Sequence, residues 1–125
     1  MAVPSGPCSQ VELVVTPADT APAFASGDVE VLATPRLVAL CEQAAAEAAS
    51  ALVGEGQTTV GFRVELTHLA PAAIGTTVVA SAGLDRLEGR RVTFNVTVND
   101  KRGLIAAGRM VRVIVDRAAF LEKAG

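Results

Sequence analysis

The sequence predicts an α+β fold in which an antiparallel sheet of about five strands wraps around one long central helix. Three observations predict it. Between Thr58 and Val115 the chain runs through four segments that alternate apolar and polar residues, the period of strands with one buried face. Connections such as "LEGR" and "NDKRG" have hairpin composition and are too short for parallel crossovers. Ahead of them, "TPRLVALCEQAAAEAAS" repeats its apolar residues at helical spacing instead.

Taken in order, "SQVELVVT" (residues 9–16) is a short strand, and "PADTAPAFASGD" is an irregular loop by its Pro, Gly, Ala and Asp content. The helix starts at Thr34 as N-cap with Pro35 at the first helical position and runs to about Val53, where "GEG" ends it. Arg36, Gln43, Glu47 and Ser50 gather into a polar stripe, and Leu37, Leu40, Cys41, Ala44, Ala48 and Leu52 into the opposite apolar one. Glu42 belongs to neither, projecting roughly 110° from the centre of the polar stripe at 100° per residue. In "TTVGFRVELTH", counting by twos puts Val60, Phe62, Val64, Leu66 and His68 on one face, the face expected to meet the helix. The runs "GTTVVASAGLDRL", "RRVTFNVTVND" and "LIAAGRMVRVIV" supply the remaining strands, and Asp116 caps a short final helix.

The chain has 125 residues, enough for one domain (residues 1–125) with a real core. Half of it is hydrophobic, with no Trp or Tyr and four Phe, so Val, Ala and Leu must fill that core. A net charge of −2 with so few aromatics excludes nucleic acid as a partner, which would need a basic surface and stacking platforms. "MAVPSGPCSQ" lacks the basic and apolar regions of a secretory signal, and no run is long enough to span a bilayer. A cytoplasmic protein without membrane contact is expected. Cys8 and Cys41 are too few for a disulfide framework or a zinc site, so reduced thiols and no metal are expected.

Three residues carry candidate chemistry. Thr34, Glu42 and His68 bring a hydroxyl, a carboxylate and the chain's single imidazole onto or against the same helix, the set that activates a nucleophile against a carbonyl. Each also has a plainer role: Thr34 as a helix cap, Glu42 as half of a subunit-bridging ion pair, His68 as a core-edge side chain. Gly61 interrupts its strand, which marks either close approach of substrate or a bulge. Arg112 has the opposite parity to Val111, Val113 and Val115, a position from which it would contact substrate, steady Glu42 or face solvent.

The motifs "ATP" with Thr34, "CEQA" with Glu42 eight positions on, and "LTHLAP" with His68 a further twenty-six on resemble the fluoroacetyl-CoA thioesterase-like branch of the hotdog-fold thioesterases. The resemblance extends through Gly61, "EGRR" at a hairpin, and Gly108 four residues before Arg112. It implies an acyl-CoA thioesterase acting on a short or unusual acyl group, with Thr34, Glu42 and His68 as catalytic residues and the site at the interface of a homodimer. Water, Glu42 and Thr34 all remain candidate nucleophiles. No cofactor is implied beyond the coenzyme A of the substrate, whose phosphates need local cations; Arg90 and Arg91 at one hairpin, with Lys101 and Arg102 at the next, are the sources available. The family member that names the branch carries aromatic residues in the loop before the helix, whereas "FASGDVEVLA" has Phe24 alone, so the acyl group stays open. A hotdog hydratase or dehydratase, or a non-catalytic acyl-thioester or small-ligand binding module, are the alternative functions.

Overall fold

The computed structural model describes residues 6–125, so the expectation drawn from the N-terminus rests partly on residues outside it. Strand β1 (Cys8–Val14) leads through two single 3₁₀ turns, Pro17–Asp19 and Pro22–Phe24, to helix α1 (Thr34–Ala49). A further 3₁₀ turn, Ser50–Leu52, ends the helix, so regular α geometry stops slightly short of Val53. Strands β2 (Gln57–His68), β3 (Thr77–Glu88), β4 (Arg91–Asp100) and β5 (Gly103–Asp116) follow, then helix α2 (Arg117–Ala124). Asp116 caps α2 by accepting a hydrogen bond from the Ala119 amide at 2.9 Å. The sheet has the order β1-β3-β4-β5-β2 with every pair antiparallel, so β1 and β2 are its edges.

The core lies between α1 and the concave face of the sheet. Helix residues Leu37, Leu40, Cys41, Ala44, Ala45, Ala48 and Ala49 are buried against Val78 and Ala80 of β3, Phe94 and Val96 of β4, and Met110 of β5. The alanines let the helix lie close to the sheet, and the larger residues contribute about 1.5–3 kcal/mol each by burial. Cys41 is a filler in this layer: burial pushes its thiol up to about 11, which suppresses the reactive thiolate. Among the described residues no helix is long and apolar enough to cross a membrane.

The face assignment for β2 needs correction. Val64, Leu66 and His68 do face the helix side, in register with Met110, Gly108 and Ala106 of β5. Phe62, however, is the extra residue of a bulge between Gly61 and Arg63, and a bulge reverses the parity of everything before it. Gly61 and Thr59 therefore turn inward, while Val60 and Phe62 turn to the outer face, where the Arg91 guanidinium lies 4.7 Å from the Phe62 ring centroid. The helix packs mainly over the β1 and β3 side, so the inward-facing Val64 keeps 44% of its surface exposed.

Gly108 fixes how closely β5 and β2 approach. A Cβ there would overlap the Glu65 carbonyl oxygen and lie 2.8 Å from the Leu66 Cα; both are backbone atoms that cannot swing away. Gly108→Ala is expected to cost at least the 1–3 kcal/mol typical of overpacking, read as a drop in urea midpoint. An unchanged midpoint would show that the two strands can separate freely.

Candidate active site

Helix α1 begins one residue earlier than the cap pattern suggested. Ala33 is the N-cap, its carbonyl accepting from the Leu37 amide at 3.0 Å, and Thr34 is already helical with Pro35 behind it. Thr34 is therefore not the cap, and its hydroxyl is free for another partner. That partner is His68, at the end of β2: Thr34 Oγ1 and His68 Nδ1 are 2.9 Å apart. In the tautomer protonated on Nε2, Nδ1 accepts the threonine proton, the geometry of an oxygen nucleophile beside its base. Nε2 itself is buried without a hydrogen-bond partner, an arrangement that costs about 1–3 kcal/mol when left unmet.

An open pocket of about 300 Å³ adjoins the pair, bounded by Ser26, Val31, Leu32, Leu69 and Pro71, with no charged side chain in its lining. The loop on its rim is held by Asp19, a residue that the sequence reading passed over. The Asp19 carboxylate accepts from the Thr16 amide and hydroxyl, both at 2.8 Å, and from Arg36 Nε at 2.9 Å, while its carbonyl accepts from Ala33 at 2.9 Å. Bridges Thr20 to Leu32 and Val31 to Ala73 complete the tether. Arg36, expected on a solvated stripe, thus anchors the loop to the first turn of α1.

Glu42 sits two turns further along the helix, roughly 12 Å from Thr34 at 1.5 Å per residue. Its carboxylate lies against Gly61, where an added Cβ would come within 2.8 Å of Oε2. Across the bulge, Arg112 Nη1 is 3.7 Å from the same oxygen. Arg112 is nearly buried, its side chain 11% exposed, and it is fixed by donating from Nε to Thr59 Oγ1 at 2.9 Å and from Nη2 to the Thr59 carbonyl at 3.0 Å. Burial lowers the Arg112 pKa, and the charge of Glu42 opposes that. Of the three roles open to Arg112, the geometry supports steadying Glu42; Gly61 is both a bulge residue and a close-approach point, with Glu42 as the group that approaches. Within one chain the proposed catalytic residues thus form two clusters, Thr34 with His68 and Glu42 with Arg112.

The hairpin cations also divide. Arg102 is engaged by Asp100 at 3.4 Å and by the Pro71 carbonyl at 3.1 Å, whereas neither Arg90 nor Arg91 has a carboxylate within 4.0 Å among the described residues. No group of three or more His, Cys, Asp or Glu side chains among those residues is placed to hold a metal.

A sheet curled around one helix, with a threonine hydroxyl at the helix start meeting a histidine from the far edge, places the chain among the hotdog-fold thioesterases, a class of thioester hydrolases. Residues 15–118 match the family described as FlK, fluoroacetyl-CoA-specific thioesterase, and the chain belongs to that family. It is 32% identical over 94 residues to the fluoroacetyl-CoA thioesterase of Streptantibioticus cattleyicolor, spanning 75% of this chain and 68% of that protein. A Thermus thermophilus thioesterase superfamily member superposes with a TM-score of 0.88 at 31% identity, covering 98% of this chain and 90% of the other. A phenylalanine-to-alanine variant of FlK, in complex with fluoroacetate and CoA, superposes with a TM-score of 0.83 at 30% identity, covering 96% and 99%.

The Asp19 tether has a pH signature. Burial raises the cost of the charged carboxylate, but the Thr16 hydrogen bonds and the Arg36 charge outweigh it and hold the pKa below 3.8. A carboxylate depressed in this way stabilises the fold fully above its unfolded pKa, and the contribution fades as pH falls through the lower folded value. Asp19→Asn is expected to lose about 1–3 kcal/mol at neutral pH and to lose less than the parent on acidification from pH 5 to 3, followed by thermal midpoints. Identical acid profiles for the two proteins would discount the tether.

Proposed function

We propose that this chain hydrolyses short, uncharged acyl-CoA thioesters at a site completed by two copies of itself, in a cytoplasmic homodimer. The observation that carries the chemistry is the 2.9 Å contact between Thr34 Oγ1 and His68 Nδ1 beside an open pocket. His68 withdraws a proton from the attacking oxygen, that of Thr34 or of a water held beside it. The carbonyl carbon–sulfur bond breaks and the proton passes to the departing thiolate, giving free CoA. With water as the attacking oxygen the other product is the carboxylate; with Thr34 it is an acyl-threonine ester, which a second attack, by water assisted by His68, hydrolyses to the carboxylate and the free hydroxyl. The pocket's lack of charged lining favours a neutral acyl group over one bearing its own carboxylate. A hydratase would have no need of the hydroxyl that is the direct partner of His68 here, so thiol release is the expected reaction.

The need for a second copy follows from distance. Glu42 is too far along α1 to reach Thr34 in its own chain, yet α1 and β2 run in opposite directions, with Glu42 beside Gly61 and Thr34 beside His68. Antiparallel pairing of two β2 edges about a two-fold axis would bring the Gly61 end of one chain to the His68 end of the other. Glu42 of each copy would then face the unpartnered His68 Nε2 of its neighbour. Gly61 and Arg112 would act on substrate through the shape and charge that they give this shared wall.

His68→Ala and Glu42→Gln are each expected to fold and to lose about 10²-fold or more in turnover on an acyl-CoA substrate. Mixing the two inactive proteins after subunit exchange should restore about a quarter of the parental activity, since half the dimers are mixed and each carries one intact site. Mixed dimers, verified by mass, that remain inactive would show that Glu42 does not act across the interface.

A further inference from the structure

We infer that Asp19 is a positioning residue for the reaction, its two carboxylate oxygens setting the first turn of α1, and with it the Thr34 hydroxyl, against His68; this rests on the Thr34–His68 reading above. The two ends of the 2.9 Å contact are held in different ways. His68 closes β2 in register with the buried Ala106, and the two amides that follow it, Leu69 and Ala70, both donate to the Ile105 carbonyl, at 2.7 and 3.2 Å. The imidazole is therefore carried by the sheet. Thr34 is the first residue of α1, behind an alanine N-cap with no side chain to cap with, and Pro35 after it brings no amide. A first turn of this kind frays unless something outside the helix grips it.

Asp19 grips it on both sides of the hydroxyl. Its carbonyl accepts from the amide of Ala33, one residue before Thr34, at 2.9 Å, and its Oδ1 accepts from Nε of Arg36, two residues after, at 2.9 Å. Oδ2 serves the opposite element, accepting from the Thr16 amide and hydroxyl at 2.8 Å each. Thr16 is itself fixed through Val15, which is buried and exchanges backbone hydrogen bonds with Thr76 at 2.9 Å and Gly75 at 2.8 Å, just ahead of β3. One carboxylate, 8% exposed, thus bridges the sheet end to the turn that bears Thr34. The loop that begins beside it returns through the Thr20–Leu32 bridge and lines the pocket with Ala21, Ser26 and Val31, so hydroxyl and pocket wall take their places from the same anchor.

An asparagine cannot make this bridge. Its amide offers one acceptor oxygen and one donor nitrogen. With the oxygen toward Thr16, the nitrogen meets the Arg36 donor; with the oxygen toward Arg36, the nitrogen meets the Thr16 amide. Either way one side of the bridge opens and the first turn of α1 is free to shift. A displacement of about 1 Å in a reacting group costs up to 10²-fold in rate.

Asp19→Asn and Arg36→Ala test the two halves of the bridge; the second leaves both Thr16 bonds in place and keeps the loop anchored should the first fail to fold. Thiol release from an acyl-CoA is measured below the thermal midpoints of all proteins compared. The expected result is a kcat lower by between about tenfold and 10²-fold with KM little changed, the pattern of an alignment felt in the transition state. His68 is the chain's single histidine, so nitrogen NMR of the imidazole gives one Nδ1 signal, and Thr34→Val supplies that signal without its hydroxyl partner. In Asp19→Asn and Arg36→Ala the Nδ1 signal is expected to move from the parental position toward that of Thr34→Val. Folded variants that keep the parental kcat, or the parental Nδ1 signal, would overturn the positioning role and leave Asp19 a stabilising residue alone. The imidazole signal needs no turnover, so the two readings fail separately. An inactive parent whose Nδ1 signal follows these substitutions upholds Asp19 as the residue that aligns the pair and removes the thioesterase, whereas an active parent indifferent to them removes the alignment and leaves the thioesterase standing.

Discussion

His68 lies seven positions after Gly61, an odd number, and in a regular strand an odd offset puts two side chains on opposite faces. Both are needed on the same face: one as the surface against which Glu42 rests, the other as the partner of Thr34. The extra residue at the Gly61–Arg63 bulge is what reconciles them. It shifts the phase of the strand once, so that Thr59 and Gly61 upstream and Val64, Leu66 and His68 downstream all turn toward α1. Arg112, directly across from Gly61, is brought to the same side and pinned there by Thr59. Phe62, displaced by the shift, becomes an outer-face ring under Arg91.

The bulge also marks where the sequence stopped being readable. Strand β4 was legible because its inward residues Val92, Phe94, Val96 and Val98 follow an uninterrupted period of two, β3 and β5 because they keep that period on either side of single register shifts at Leu84–Arg86 and at Ile105, and α1 because its apolar stripe follows 3.6. A bulge leaves the residue types untouched while changing the count by one; Gly61 was the only hint, and a glycine in a strand has several causes. Thr34 was misplaced by one position for a different reason. A threonine before a proline at a helix start serves equally well as cap or as first helical residue, and the choice was made by a histidine thirty-four residues away. Asp19 was invisible because its partners, Thr16 and Arg36, lie on either side of a loop that carries no periodicity at all.

The division between core and loop has an energetic basis. Beneath α1 the packing is almost wholly aliphatic and alanine-rich, tolerant of little change in volume. The rim of the Thr34 pocket, by contrast, is held by a few hydrogen bonds to one carboxylate and two isolated bridges, leaving Ser26 and Val31 outside the core. Side chains there can be exchanged without disturbing the helix or the sheet, whereas Thr34 and His68 sit on regular elements whose positions the core dictates. On the function proposed above, chemistry would sit on the rigid part and acyl shape on the adjustable part.

Strand β2 is twelve residues long and lies at the edge of the sheet, and a long, bare edge is a template for fibre growth by repeated strand addition. The bulge bends this one partway along its length, so the regular ladder available to an incoming strand shortens to the stretch from Arg63 to His68. Within it Arg63 and Glu65 project as an ion pair on the outer face, which resists stacking of flat hydrophobic sheets. Until a partner covers it, the edge of a newly made chain therefore offers only a shortened ladder: the irregularity that seats a carboxylate also interrupts the template for repeated strand addition.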